Sequence, residues 1–376
     1  MIYREYTIEY EMQLPLPEEM IRESVFFDIE TTGFLASSSH VYLIGAAWRT
    51  GGKWKSVQWM SELPKEESDL LRIFARFLEP FRRVIHFNGD RFDVPYMREK
   101  YALYGITDPF EGMASTDIYL DVKPLKKLLS LQHMNQKSLE RFLGIRREDR
   151  YDGGQLIQTY RDYCRRPSGD LLSLLLLHNR EDVEGMLHLT RLYTYLDRPG
   201  LKAGLQAHFC EEAGIRTFVM QRENKEAVPV PVNAACELGG EESSSKIFLE
   251  MNGTKVRLKI GTLHDRLCFF LDNYREYDYL LQEDMAVHKS VSCYVDRKYR
   301  KQATAKTCYV RQEGYFLPQT GEFVEPALRR SYSDKLRWFK ADDALCLDEE
   351  FVSRYFDMIF EYLMEHAVLR RDERYE

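Results

Sequence analysis

The stretch VFFDIETTGF, residues 25–34, sets two acids one residue apart directly after an apolar run. Val25, Phe26 and Phe27 read as a buried strand. Asp28 and Glu30 keep the strand's period of two, so both carboxylates point to one face. Gly33 then allows the chain to turn. Two unpaired carboxylates at the end of a buried strand repel, and each raises the other's pKa. A bound divalent cation removes that repulsion.

Working outward, VYLIGAAWR (41–49) and KSVQWMSEL (55–63) are further strand candidates with turn residues between them. Leu70, Leu71, Phe74, Phe77, Leu78 and Phe81 recur at helical spacing across 66–81. RVIHFN reads as a short strand, 92–104 as a helix and ASTDIYL as another strand. Helical segments follow near 124–131, 138–143 and 154–164. The last helix of this half is expected from Asp170, a suitable N-cap, to about Leu196, with Pro199–Gly200 as its stop. A three-strand meander followed by alternating helices and strands predicts a mixed α/β sheet with helices packed on it.

At 376 residues the chain exceeds one ordinary core, and two domains are expected, 1–199 and 200–376. With 44% hydrophobic and 30% charged residues it reads as globular, not disordered. A net charge of −7 argues against a protein that coats nucleic acid without specificity, yet allows a local basic rim beside an acidic pocket. The seven cysteines are scattered and form no C-x-x-C, which fits a reducing cytoplasm and argues against a disulfide framework or a structural zinc site. The opening MIYREYTIEYEMQLPLPEEM lacks a signal-peptide core. The most apolar run, 171–177, is too short to cross a bilayer. The expectation is a cytoplasmic protein with no membrane segment.

Two further stretches carry chemistry. In HFNGDRFDVPYM (86–97), Asp93 follows Phe92 and opens a helix, where a carboxylate suits the helix N-terminus; read alone, the motif is a weak signal, with Asp93 a capping residue and Asn88 a turn residue. In LLLLHNREDVEGML (174–187), His178 and Asp182 stand four apart on one helix face; read alone, the pair is a weak signal, since many helices carry one as a solvated surface pair.

In this order and in these settings, D-x-E at a first-strand end, N-x-x-x-F-D after a later strand and H-x-x-x-D on a late helix resemble the DEDD, or DnaQ-like, 3′–5′ exonucleases of the ribonuclease H-like superfamily. The N-x-x-x-F-D-x-P-Y spacing is similar to the exonuclease domain of family B polymerases, and the histidine of the third motif to the DEDDh subtype. TDIYLDVKPLKKLL and LERFLGI between the motifs resemble YprB-type bacterial exonuclease-like proteins. The resemblance covers about residues 25–196 and implies a ribonuclease H-like mixed sheet flanked by helices. It also implies a metal-dependent exonuclease acting on single-stranded DNA or RNA. Asp28, Glu30, Asp93 and Asp182 would then hold two divalent cations, Mg²⁺ or Mn²⁺, with Asp28 bridging them, and His178 would be the general base. Such an ion pair clamps the attacking and leaving oxygens of an in-line displacement, and a histidine titrating near neutrality suits the base. Thr31, Gly33 and Phe34 would contact the terminal nucleotide and Asn88 would lie near the scissile end; for Gly33 and Phe34, a turn and a core residue is the alternative. His86, His133 and His188 read as structural or surface residues, and Asp117, Asp121 and Asp152 as spare acids. Glu181 is the acid most readily mistaken for Asp182.

The second half reads differently. Residues 200–245, with VPVPV and the polar run GGEESSS, are expected as linker or loop. IFLEMNGTKVRLKI carries Asn-Gly between alternating runs, a hairpin signal. LCFFLDNY, SVSCYVD and TCYVRQEGYFLP are strand candidates, and a closing helix is expected over 348–369. Together these predict an α+β domain rich in antiparallel strands. YVDRKYRKQATAKTCYVR interleaves cations with tyrosines, which suits either base stacking along a single strand or a solvated strand edge. Two rivals to the exonuclease stand at this level: a catalytically silent nucleic-acid or protein-binding module on the same scaffold, and an endonuclease of the ribonuclease H type.

Overall fold

VFFDIET is the third strand from one edge of a sheet packed on both faces, which is why it reads as an almost unbroken apolar run. The computed structural model describes residues 1–9, 13–196, 204–239, 244–321 and 323–369. The chain divides into two units, one of Met1–Lys126, Leu131–Leu196 and Val228–Val230, the other of Lys127–Ser130, Asp197–Ala227 and Pro231–Glu376.

In the first unit the strands are β1 (Ile2–Ile8), β2 (Ser24–Thr31), β3 (Val41–Thr50), β4 (Lys53–Met60), β5 (Arg83–His86) and β6 (Ala114–Asp117). Their spatial order is β1-β4-β3-β2-β5-β6. The meander β2–β3–β4 is antiparallel and β1 adds to it antiparallel, whereas β2–β5 and β5–β6 pair parallel. The helices over residues 18–189 are α1 (Glu18–Glu23), α2 (Glu67–Leu78), α3 (Asp93–Leu103), α4 (Ile118–Val122), α5 (Leu125–Leu128), α6 (Gln136–Phe142), α7 (Gly153–Arg165) and α8 (Gly169–Leu189). Alternation along β2 divides its side chains between two cores. Val25, Phe27 and Ile29 pack with Leu70, Leu71 and Phe74 of α2 and Met97 and Tyr101 of α3. On the opposite face Tyr42, Leu43 and Met60 meet Leu156 and Tyr160 of α7 and Leu175 and Leu176 of α8. Asp28 and Glu30 therefore point to the α8 side.

Local chemistry shifts several expected boundaries. ASTDIYL is strand only to Asp117, whose side chain accepts from Tyr119 N and Leu120 N and starts α4. The cap of α8 is Ser168, accepting from Leu171 N at 3.2 Å, and Asp170 sits in the first turn. The helix ends at Leu189 and continues as a 3₁₀ turn over Thr190–Tyr195. Pro199–Gly200 and most of the GGEESSS run lie outside the described residues. β1 was not expected from the charged opening; seven of its residues pair with β4.

In the second unit, residues expected as linker are strands instead: β7 (Gln206–Glu212), β8 (Ile215–Glu223) and β9 (Val232–Gly239). They join β10 (Ser244–Asn252) and β11 (Lys255–Gly261) in an antiparallel sheet, where pairing of β9 with β10 and the long-range pairing of β8 with β11 outweigh the turn-like composition. The expected hairpin is β10–β11; Gly253, at φ +58°, takes the turn between Asn252 and Lys255. Two three-stranded sheets follow, built from β12 (Leu263–Phe270), β13 (Tyr277–Leu280), β14 (Met285–His288), β15 (Arg300–Gln302), β16 (Tyr309–Gln319) and β17 (Arg337–Lys340). SVSCYVD is not a strand: α9 (Lys289–Ser292) occupies its start, with His288 capping Ser290 N. The closing helix α10 (Glu349–His366) starts on an Asp348 cap and buries Tyr355, Phe356, Ile359 and Phe360 before β18 (Val368–Leu369). No helix among the described residues is long and apolar enough to cross a membrane.

Candidate active site

One row across the sheet carries the first acid. Asp28 on β2 stands opposite Gly45 on β3, and Gly45 opposite Gln58 on β4. Gly45 has no side chain because α8 lies over it: a Cβ there would meet Asn179 Oδ1 at 2.1 Å and Val183 Cγ2 at 2.9 Å. In the space so left, the Asn179 amide bridges the row. Its Nδ2 donates to Asp28 Oδ2 at 3.0 Å and its Oδ1 accepts from Gln58 Nε2 at 2.9 Å. Glu30 follows two residues on, next to a register shift that ends the regular ladder at Thr31.

Two helices bring the other expected residues to this point. Asp93 opens α3 and is almost fully buried, with the backbone amides of Asp93 and Ile29 favouring its charged form. On α8, His178 Nε2 lies 3.1 Å from Asp182 Oδ2 and 3.6 Å from Glu30 Oε1. Ligand atoms of Glu30, His178 and Asp182 fall within 4.8 Å of one another. The charges of Asp93 and Asp182 are felt by both Asp28 and Glu30. The structure thus brings Asp28, Glu30, Asp93, His178 and Asp182 into one cluster.

Charge in the cluster is poorly balanced. Burial first, and then the negative charges of Asp182, Asp93 and Glu30, push the Asp28 carboxyl well above the usual range despite the Asn179 bond. Burial lifts Glu30 to about 8 although His178 opposes it, and lifts Asp93 to about 7 although backbone amides oppose it. Burial alone would lower His178; Asp182, Glu30 and Asp149 overcome it and raise the imidazole to about 9. Asp182 is held below its normal value against the effect of burial, by its hydrogen bond to His178 and by Arg147. Buried hard-oxygen donors with uncompensated negative charge fit a hard divalent cation such as Mg²⁺ or Mn²⁺.

The remaining expected residues surround the cluster. Thr31 Oγ1 donates to Gly33 O at 2.8 Å, and a Cβ on Gly33 would lie 3.1 Å from that of Ser39, so the loop after β2 is tight here. Phe34 is no core residue: it is 85% exposed, its ring edge-on to Phe92 at 6.1 Å. Asn88 sits at φ +61° and lines a groove with Asp28, His178 and Asp182. Its conformation is pinned by the spare acid Asp117, which accepts from Asn88 N and Asp90 N as well as capping α4. His86, Asp90 and Asp117 form a second cluster, but Asp117 is taken up by backbone amides and His86 Nδ1 accepts from Gly89 N, so its work is to hold this turn. The spare acid Asp152 caps α7. The groove encloses about 770 Å³ and carries Arg91, Lys137 and Arg141 beside the acids, with Phe87 and Tyr119 on its wall. Sequence reasoning missed Asn179, Arg147, Asp149 and these cations; only Gly45, a glycine inside a strand, signalled a close approach.

Residues 25–194 match the RNase_H_2 family model, described as RNase_H superfamily. No curated protein matches the chain. Among solved structures, the family B DNA polymerase from the hyperthermophilic archaeon Pyrobaculum calidifontis is similar at 16% identity and a TM-score of 0.38. That match covers 46% of this chain and 24% of the polymerase chain. With the mixed sheet and its flanking helices, the family match makes residues 25–194 a ribonuclease H-like domain.

Proposed function

We propose that this protein is a metal-dependent 3′–5′ exonuclease that hydrolyses phosphodiester bonds of single-stranded DNA or RNA. The observation that carries the reading is the convergence of Asp28, Glu30, Asp93 and Asp182 from β2, α3 and α8, three of the four with raised pKa values, with the His178 imidazole against Glu30 and Asp182. The RNase_H superfamily match supports a nuclease. The four acids would hold two divalent cations, Mg²⁺ or Mn²⁺, which when bound stabilise charge on phosphoryl oxygens and acidify an attacking water. His178 would accept a proton from an attacking water at Nε2, the nitrogen facing Glu30 and Asp182. Without cations the acids keep the imidazole charged; neutralising them returns it toward the range a general base requires. Arg91 and Arg141 on the groove wall suit backbone phosphates. Thr31, Gly33 and the exposed Phe34 suit the terminal nucleotide, with Asn88 beside the scissile end.

The test is digestion of end-labelled DNA and RNA oligonucleotides with Mn²⁺. Stepwise shortening from the 3′ end is expected, absent from Asp28→Ala, with circular single strands left intact. Nicked circles would indicate an endonuclease, and activity surviving Asp28→Ala would move the site elsewhere.

A further inference from the structure

Asp149 belongs to none of the three motifs, yet its Oδ2 lies 2.7 Å from His178 Nδ1. Its side chain is 1% exposed and its position is fixed from several directions. Lys137 Nζ donates to Oδ2 at 2.7 Å, and Tyr151 N donates to Oδ1 at 3.0 Å. The loop that carries it is clamped to α8 by Glu181, whose two oxygens accept from Glu148 N at 2.9 Å and Asp149 N at 3.0 Å. Arg147 of the same loop bonds Asp182 and Glu140. Gly185 leaves the room for Glu140, since a Cβ there would meet Glu140 Oε1 at 2.1 Å. One loop therefore addresses both third-motif residues, His178 through Asp149 and Asp182 through Arg147, and Glu181 between them in sequence holds it down.

The two nitrogens of an imidazole are not equivalent: a carboxylate on one places a proton there and sets which way the other faces. Carboxylates stand at both nitrogens, but Asp149 is the nearer, 2.7 Å from Nδ1, against 3.1 and 3.6 Å from Nε2 to Asp182 and Glu30, and Asp182 is shared with Arg147. Lys137 and Tyr151 would be partners enough for a carboxylate that only pins a loop. The bond to the ring nitrogen opposite the acid cluster is the contact that such a role does not need.

We propose that Asp149 is a positioning residue for His178, fixing the ring's orientation and its Nδ1–H tautomer so that Nε2 is presented to the acid cluster. Its catalytic consequence rests on the hydrolytic reading of the site; the placement of the ring does not. The first test is therefore made on the metal-free protein without substrate. In ¹⁵N-imidazole correlation spectra recorded above the ring's titration, with His178 assigned by comparison with His178→Gln, the proton is expected on Nδ1. In Asp149→Ala it is expected to redistribute toward Nε2. In the second test, Asp149→Ala lowers kcat about 10- to 100-fold, the usual effect of losing a partner behind a reacting group, while KM for the oligonucleotide and the Mn²⁺-linked rise in Tm stay near the parent values. A folded Asp149→Ala that keeps kcat overturns the proposal. So does a native spectrum with the neutral ring's proton on Nε2, and that measurement decides even if Asp149→Ala does not fold. Loss of nuclease activity in the native chain itself would overturn the function proposed above, not the ring's placement.

Discussion

Two sets of buried carboxylates stand in the first unit and differ in what balances them. Glu67 at the start of α2 is fully buried and fully answered: Lys100 Nζ lies 2.9 Å away, and Val41 N, Tyr104 OH and His40 Nδ1 complete its contacts at 2.7, 2.7 and 3.1 Å. Asp28, Glu30 and Asp93 receive one side-chain amide, backbone N–H groups and a shared imidazole. The first set ties α2 to α3 and to the start of β3, and its charge is neutralised within the chain. The second must either bury negative charge or hold protons that carboxyls in water would release, and either destabilises the fold unless something outside the chain supplies the opposite charge. Acid clusters that a protein leaves unbalanced are where a cation belongs, and the same substitution should have opposite consequences in the two sets.

The largest expected contrast is Asp28→Asn. Losing several kcal/mol of transition-state stabilisation corresponds to about three orders of magnitude in rate. Yet the variant should be more stable than the native chain in EDTA and lose the Mn²⁺-linked rise in Tm, both read by thermal unfolding. The sign also follows for pH. Glu30 is raised from 4.5 to about 8 and Asp93 from 3.8 to about 7 in the fold, so between these limits the folded state binds more protons than the unfolded one. Their contribution is complete below the unfolded pKa values and is lost as pH climbs through the folded ones. In EDTA, the native chain should lose stability relative to Glu30→Gln between about pH 5 and 8, and Mn²⁺ should abolish that slope; a difference that grows in the other direction would reverse the assignment.

Lys100→Met tests the balanced set. Removing one partner of a buried pair costs about 3–5 kcal/mol, measured by urea unfolding, and Mn²⁺ should not offset it. Adding Glu67→Gln should recover much of the loss, because the stranded charge goes with it. Recovery by metal instead would erase the distinction between the sets.

The contrast also explains what could be read from the chain alone. Asp28 and Glu30, with Asn88 and Asp93, and with His178 and Asp182, lie close in sequence, and each pair's setting at a strand end or helix turn shows in local pattern. The residues that position them do not. Asn179 acts across three strands, and Asp149 meets His178 from 29 residues away through a loop whose position depends on Glu181. Neither contact leaves a periodic trace. In the second unit β7–β9 were mistaken for linker because their turn-like flanks were visible and their strand partners were not. The cation–tyrosine strip divides likewise: Arg300 pairs with Asp278 at 2.6 Å and Arg311 with Asp284 at 2.7 Å, whereas Tyr294 is 90% exposed.

Gly45→Ala reaches the unbalanced set without touching a charge. The new methyl group must displace Asn179 or Val183, so overpacking should cost about 1–3 kcal/mol. Activity should fall along with stability, because the amide that holds Asp28 moves. A variant losing stability but keeping full kcat would show that Asn179 is only packing.

The smallest stability effect is expected at Phe34, and its smallness is what makes it informative. Its ring is 85% exposed and meets Phe92 only edge-on, so Phe34→Ala should shift unfolding by no more than about 0.5 kcal/mol. A ring that stacks on a base contributes about 1–3 kcal/mol to holding a single strand, so KM for a short oligonucleotide should rise about tenfold at the lower-middle of that range while metal-linked stabilisation is unchanged. Phe27, three aromatic neighbours deep in the core on β2, would behave oppositely, losing stability before affinity. If Phe34→Ala instead lowers Tm and leaves KM alone, the loop after β2 is a structural turn, and the terminal nucleotide is held elsewhere in the groove.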